Sequence, residues 1–260
     1  MKKKQSKQPR ARVLAISNNK GGVGKTTSTI NLGAALAELY GPVLLVDADP
    51  QANLTLSLGA SGNGGLNLYT AIHEGKLEAV CKITDNLHLV PSHLDLTAAE
   101  LELAAEAGRE YILKELLEPH LESYSYILID TPPSLGLLTI NALTAAQEVY
   151  IPLQSEFLAV QGLNKLLEVI AKIQKRINPG LVLGGVFLTM YDKRRALNRD
   201  VSEEITEALK DKVLECKISD NIALAEAPAL GQDIFRYSPR SKGAKDYLSL
   251  AAEIHGLTKH

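Results

Sequence analysis

Short apolar runs recur along this chain with helical spacing between them, and that alternation leaves few folds open. Residues 13–16, 43–46, 87–90, 126–129, 149–153 and 181–188 read as buried strands. Residues 27–39, 96–118, 157–177, 202–210 and 241–255 read as helices. A βαβ rhythm of this kind predicts an α/β fold, a single-domain, mostly parallel twisted sheet with helices on both faces. Right-handed crossovers then gather the C-terminal ends of the strands along one edge, where open sheets of this class bind ligands. With 260 residues and 45% hydrophobic content one large core suffices, and no break in composition marks a second. The expected division is a basic flexible tail over residues 1–11 and one domain over residues 12–260. Residues 59–65, Gly-Ala-Ser-Gly-Asn-Gly-Gly, read as a flexible loop.

The first strand runs into Lys20-Gly21-Gly22-Val23-Gly24-Lys25-Thr26-Thr27, and a helical pattern begins at once behind it. A glycine-rich loop between strand and helix is suited to gripping phosphate. Glycines let backbone N–H groups turn inward onto phosphate oxygens. Lys25 would neutralise the β- and γ-phosphates, and Thr26 would set its hydroxyl on Mg²⁺. The common pattern G-x-x-x-x-G-K-[ST] is broken at its first glycine, where Asn19 stands, with Lys20 beside it.

Two more motifs end strands at the same edge. Leu44-Leu45-Val46-Asp47-Ala48-Asp49-Pro50-Gln51 carries two carboxylates two residues apart. Pro50 supplies no ladder N–H, so the strand stops there and leaves Asp49 in a loop near the phosphates. The plainer alternative is that both aspartates cap the next segment. In Tyr126-Ile127-Leu128-Ile129-Asp130-Thr131-Pro132-Pro133 an apolar strand delivers Asp130, placed to hold Mg²⁺ through a water. The prolines then delay any helix and leave a short stiff loop. No Ser-His-Asp or Cys-His arrangement is legible, and the histidines lack metal-ligand spacing.

The loop with its extra lysine resembles the deviant Walker A motif, K-G-G-x-G-K-[ST], of the family that holds the partition ATPases ParA and Soj and the division-site ATPase MinD. The resemblance implies a P-loop NTPase that hydrolyses ATP to ADP and phosphate with Mg²⁺, slowly until a partner completes the site. It implies that Lys20 reaches across a homodimer interface, so ATP binding and dimerisation are coupled. By the same likeness the catalytic set is Lys20, Lys25 and Asp49, with Asp49 of the D-x-D-P-Q segment positioning or activating the attacking water. The metal set is Thr26, Asp47 and Asp130, with Asp47 supporting the shell or the loop. The nucleotide contacts are Lys20, Gly21, Gly22, Val23, Gly24, Lys25, Thr26 and Thr27, joined by Ser219 and Asn221 near adenine. Gly184-Gly185-Val186-Phe187-Leu188-Thr189-Met190-Tyr191-Asp192 resembles the ParA strand G-V-L-L-T-M-Y-D, and Ala225-Glu226-Ala227-Pro228 resembles its S-E-A-P element. The likeness runs on through Tyr237-Ser238-Pro239-Arg240-Ser241-Lys242-Gly243-Ala244 and covers roughly residues 11–255, on the ParA/Soj branch. The basic amphipathic C-terminal helix of MinD has no counterpart in Ala251 to His260.

Net charge is −2, yet six cations and no acid among residues 1–12 leave the rest near −8. Such a tail suits DNA, anionic lipid or a protein partner, and suits a solvated arm equally. It has no apolar signal-peptide core, no run reaches the length of a membrane span, and Cys81 and Cys216 stand isolated. A cytoplasmic protein is expected, at the nucleoid where it binds DNA. ParA proteins bind DNA as ATP dimers and act with a ParB-like or other activating partner. The family segment I-P-R-N-V-R-L-S-E-A-P, however, reads here Ile218-Ser219-Asp220-Asn221-Ile222-Ala223-Leu224-Ala225-Glu226-Ala227-Pro228, with Asp220 and Ala223 in place of both arginines. Lys193, Arg194, Arg195, Arg199, Arg236, Arg240 and Lys242 remain as candidate phosphate contacts. The function implied is an ATP-driven dimerising switch that partitions or positions DNA, chromosomal or plasmid, or another cargo. A nucleotide-gated adaptor without DNA binding and a MinD-like membrane-associated regulator are the alternatives.

Overall fold

The computed structural model describes residues 10–61, 65–155 and 159–257, with residues 159–161 and 197 as backbone only. Most of the expected basic tail and the middle of the expected loop at 59–65 lie outside the described residues. The strands are β1 Arg12–Ile16, β2 Val43–Asp47, β3 Cys81–Lys82, β4 Leu87–Val90, β5 Tyr126–Asp130, β6 Glu148–Gln154 and β7 Val182–Thr189. Among the described residues they form one sheet in the order β3-β4-β2-β5-β1-β6-β7. Every pairing is parallel except that of two-residue β3 with β4. The six strands read from the sequence are therefore present, with ends shifted by a residue or so. β3 escaped notice because two residues carry no periodicity.

The helices are α1 Lys25–Tyr40, α2 Asn53–Ser57, α3 Leu68–Glu74, α4 Leu96–Glu102, α5 Ile112–Leu117, α6 Leu137–Ala145, α7 Ala159–Arg176, α8 Ala196–Leu209, α9 Ile222–Glu226, α10 Ile234–Tyr237 and α11 Lys242–Gly256. The helix expected over residues 96–118 is two helices, α4 and α5. Between them Gly108 takes φ +77°, a left-handed conformation that no continuing helix admits. The helix expected at 202–210 begins earlier, as α8, because its N-cap Arg195 makes no side-chain capping bond and so leaves no start signal.

Alternation along the inner strands splits the core into two layers. Val13, Ala15, Leu44, Val46, Ile127 and Ile129 face one way and join buried residues of α4, α5, α6 and α7. Leu14, Ile16, Leu45, Leu128 and Phe187 face the other and join α1 and α11. Both faces are covered, so these strands are apolar throughout.

The edge remote from the strand C-termini is tied by a polar knot. Arg12 donates to both oxygens of Glu148 at 2.8 and 2.9 Å, to the Tyr126 hydroxyl at 3.1 Å and to the carbonyl of Ile254 at 3.1 Å. Tyr150 donates to Glu148 at 2.8 Å. Arg12 is thus a fold residue, and Ala11 is buried with its N–H on Leu121, so the last residue of the expected tail belongs to the domain.

Tyr150 is fully buried and lies against Gly184 of β7, where an added Cβ would come within 2.5 Å of the ring. The hydroxyl bond holds the ring in place. Gly184→Ala is expected to destabilise the fold by about 1–3 kcal/mol, read as a lower midpoint with unchanged slope in urea unfolding.

Candidate functional site

The loop between β1 and α1 closes over the C-terminal ends of β1, β5 and β6. Gly22 and Gly24 sit at φ +75° and +83°, a region costly for any residue with a Cβ. Gly24 is the N-cap of α1 and offers no side chain, so the first amides of the helix face the loop's concavity. Two residues outside the recognised motif brace the loop. Asn18, buried, donates to the Pro152 carbonyl at 2.8 Å and accepts the Lys20 N–H at 3.0 Å. Thr189 at the end of β7 donates to the Val23 carbonyl at 2.8 Å. Thr189 stands in the Gly184–Asp192 stretch already noted for its family likeness, but neither residue's bracing role is legible in sequence, since the strands that meet the loop come from more than a hundred residues away. Gly21 and Gly22 are exposed, Val23 is buried, and Lys20 is exposed.

Lys25 is only 7% exposed, and its Nζ donates to the Lys20 carbonyl at 3.2 Å. Burial lowers its pKa, opposed by the charges of Asp130 and Asp49. Thr26 donates to Asp130 Oδ2 at 2.7 Å, and Thr29 to Asp130 Oδ1 at 3.1 Å. The next residue in the strand edge, Thr131, donates to the Ile16 carbonyl at 3.0 Å. Asp47 and Asp130 are register partners on adjacent strands, both with no exposed surface. Burial, then repulsion from Asp47, pushes Asp130 up to about 8 against the pull of Thr26, Lys25 and Thr29. Burial pushes Asp47 up to about 6, against its hydrogen bonds from Thr55 and the Asp49 N–H.

Asp47 is occupied by the loop that follows it. Its Oδ2 accepts the Thr55 hydroxyl at 2.6 Å and the Thr55 N–H at 2.9 Å, and its Oδ1 accepts the Asp49 N–H at 3.3 Å. Asp49 is 7% exposed, and its carboxylate accepts the Gln51 N–H at 2.9 Å. Lys25, Thr26, Asp49 and Asp130 thus converge at one strand edge. The Thr26 hydroxyl and Asp130 carboxylate form an all-oxygen donor pair, which fits a hard ion such as Mg²⁺. Thr27 opens on the other side of α1 onto a cavity of about 160 Å³ shared with Gly24, Met190, Ser219, Asn221, Leu224 and Tyr247. Ser219 and Asn221, far off in sequence, therefore stand against the same loop. The Ser219 N–H is held by Asp246 at 2.8 Å, and Asn221 caps α9 by accepting the Ala223 N–H at 2.9 Å.

The segments flanking this site touch. After α2 the chain passes Gly59, and a Cβ added at Gly231, behind α9, would meet the Gly59 backbone at 3.3 Å.

A family model described as an AAA domain matches residues 11–183. The sporulation initiation inhibitor protein Soj of Bacillus subtilis (strain 168) is 45% identical over 247 residues, covering 94% of this chain and 98% of that protein. The chain belongs to the Soj/ParA family of partition ATPases. Within the family, the chromosome-partitioning ATPase Soj of Treponema pallidum (strain Nichols) is 44% identical over 94% of this chain and 96% of its own. Among solved structures, cobyrinic acid a,c-diamide synthase from Mycobacterium smegmatis, with an ATP analog and magnesium bound, superposes with a TM-score of 0.84. It is 37% identical and covers 96% of each chain. The expected α/β fold of ParA/MinD type is thereby shown.

Lys25→Ala removes what is, among the described residues, the one buried cation facing Asp49 and Asp130. ATP affinity measured by calorimetric titration is expected to fall roughly a hundredfold, the scale of truncating one side of a buried charge contact, while the far-ultraviolet circular dichroism stays unchanged.

Proposed function

We propose that this protein is a Mg²⁺-dependent ATP switch that dimerises with ATP, hydrolyses it slowly and is accelerated by a ParB-like or other activating partner while it positions DNA. The observation that carries this reading is the convergence of Lys25, Thr26, Asp49 and Asp130 on one strand edge beneath a glycine loop. Family membership supports the partition role: the relatives at 44–45% identity bear Soj names, and that likeness exceeds the 37% of the structure named as a synthase.

Chemically the reaction is in-line attack of water on the γ-phosphorus, driven by positioning and by stabilisation of the equatorial oxygens. Mg²⁺ would be held by Thr26 and Asp130 and would supply charge neutralisation of the phosphates. Lys25 and the amides of Gly21 to Thr27 hold the phosphates. Asp49 orients the attacking water, Asp47 supports its loop, and Ser219 and Asn221 border the base. Lys20, exposed on the loop, serves the partner subunit's nucleotide.

One set of observations favours a second reading, the nucleotide-gated adaptor. Three of the seven cations left for DNA are engaged by acids: Arg194 and Arg195 pair with Asp192 at 2.8 and 3.7 Å, Arg195 lies 3.6 Å from Asp220, and Arg236 is held by Asp233. Lys193, Arg240 and Lys242 are exposed and make no ion pair among the described residues. Among the described residues no helix is long and apolar enough to cross a membrane.

Lys20→Gln is expected to bind ATP but to remain monomeric by light scattering and to lose hydrolysis; a variant that dimerises and hydrolyses like the parent removes Lys20 from the mechanism. A salt titration of DNA binding separates the cargo readings. The partition reading expects a steep dependence on salt that appears with ATP and not with ADP. Absence of binding with ATP at low salt assigns the protein to the adaptor reading.

A further inference from the structure

The end of β2, the start of α2 and the segment after β4 are locked by side chains that the nucleotide chemistry itself does not call for. Thr55 of α2 is 3% exposed and Ser92, two residues past β4, is 6% exposed. The Thr55 hydroxyl donates to Asp47 Oδ2 at 2.6 Å and accepts the Ser92 N–H at 2.9 Å. The Ser92 hydroxyl donates to the backbone carbonyl of Asp49 at 2.7 Å. On the other side of the same residue, the Asp49 N–H donates to Asp47 Oδ1 at 3.3 Å. Asp49 is thereby gripped at its N–H and at its carbonyl by one closed set of bonds running Asp47, Thr55, Ser92 and back to Asp49.

We propose that Thr55 and Ser92 are positioning residues for hydrolysis, forming with Asp47 a clamp that sets where the Asp49 carboxylate stands. The inference rests on the reading of Asp49 as the group that orients water. A loop after a strand has the backbone freedom to wander, and Ala52 behind Asp49 already sits at φ +53°. Buried hydroxyl and carboxylate partners remove that freedom, because breaking the set would leave several buried polar groups unpaired. Ser92 reaches in from the segment after β4, so the acid loop is referenced to the sheet through β4 as well as through β2. Asp47 on this account anchors the loop, its two oxygens being already shared among three donors.

The test uses the full chain and compares Thr55→Val, Thr55→Ser and Ser92→Ala with the parent and with Asp49→Ala. Valine keeps the shape of threonine and deletes the hydroxyl. Thr55→Val and Ser92→Ala are each expected to lower kcat roughly ten- to a hundredfold, as displaced catalytic groups do, with ATP Kd within about twofold of the parent. Thr55→Ser restores the hydroxyl and is expected to restore kcat. Unchanged kcat in both Thr55→Val and Ser92→Ala overturns the clamp, as does a parallel loss of ATP affinity, which marks a merely structural role. Should Thr55→Val not fold, Ser92→Ala and Thr55→Ser decide the matter by the same readouts. An Asp49→Ala variant that hydrolyses ATP normally overturns the underlying reading instead, whatever the clamp variants do.

Discussion

Parallel pairing of β2, β5 and β1 without a register shift is the constraint on which the rest of the site depends. Asp47 lies opposite Asp130, and Asp130 opposite Ile16, so three strands end at one level and three loops open side by side. A slip of one residue in β5 would turn Asp130 to the opposite face of the sheet and carry its neighbours out of their layers. The apolar residues that fix the register, Ile127 and Ile129 in one layer and Leu128 in the other, are thus also what aims the acid. Packing and chemistry are specified by the same alternation.

That register brings two carboxylates together in a place that water does not reach, which costs free energy unless donors are supplied. Thr26, Thr29 and Thr55 supply them. The hydroxyls let the acids be buried without a fixed charge beside each one, and Lys25 contributes from the next turn of the loop. Asp47 and Asp130 are shifted upward and Lys25 downward, each away from its charged form, by burial. Lys25 gains from an arriving anion and the two carboxylates gain from an arriving cation, which is the electrostatic condition for receiving the two together.

Much of this was legible in the chain because the informative signals were local. The glycine loop needs contiguous residues of fixed type, and the buried strands need unbroken apolar runs, so residues 20–27 and the six parallel strands could be read directly. What stayed hidden depends on distant partners or on weak boundary signals. Asn18 and Thr189 look like ordinary polar residues until the ends of β6 and β7 arrive beside the loop. Thr55 and Ser92 are equally plain in sequence, since a hydroxyl becomes a clamp only once it is buried against an acid. The break between α4 and α5 turns on a single left-handed glycine in a stretch whose composition favours helix. The engagement of Arg194, Arg195 and Asp220 is a property of the folded surface, and sequence could only list the charges.

The contact of Gly59 with Gly231 gives the site a mechanical property. Two strips of backbone meet there with no side chain between them, so the seam has no rotamer to flex. One strip continues from the helix behind the acid loop, and the other from the helix beside the cavity lined by Ser219 and Asn221. The segment behind the acid loop and the segment beside the Ser219 cavity therefore bear on each other through main chain alone, and a side chain introduced at Gly231 would crowd the Gly59 backbone rather than a movable neighbour.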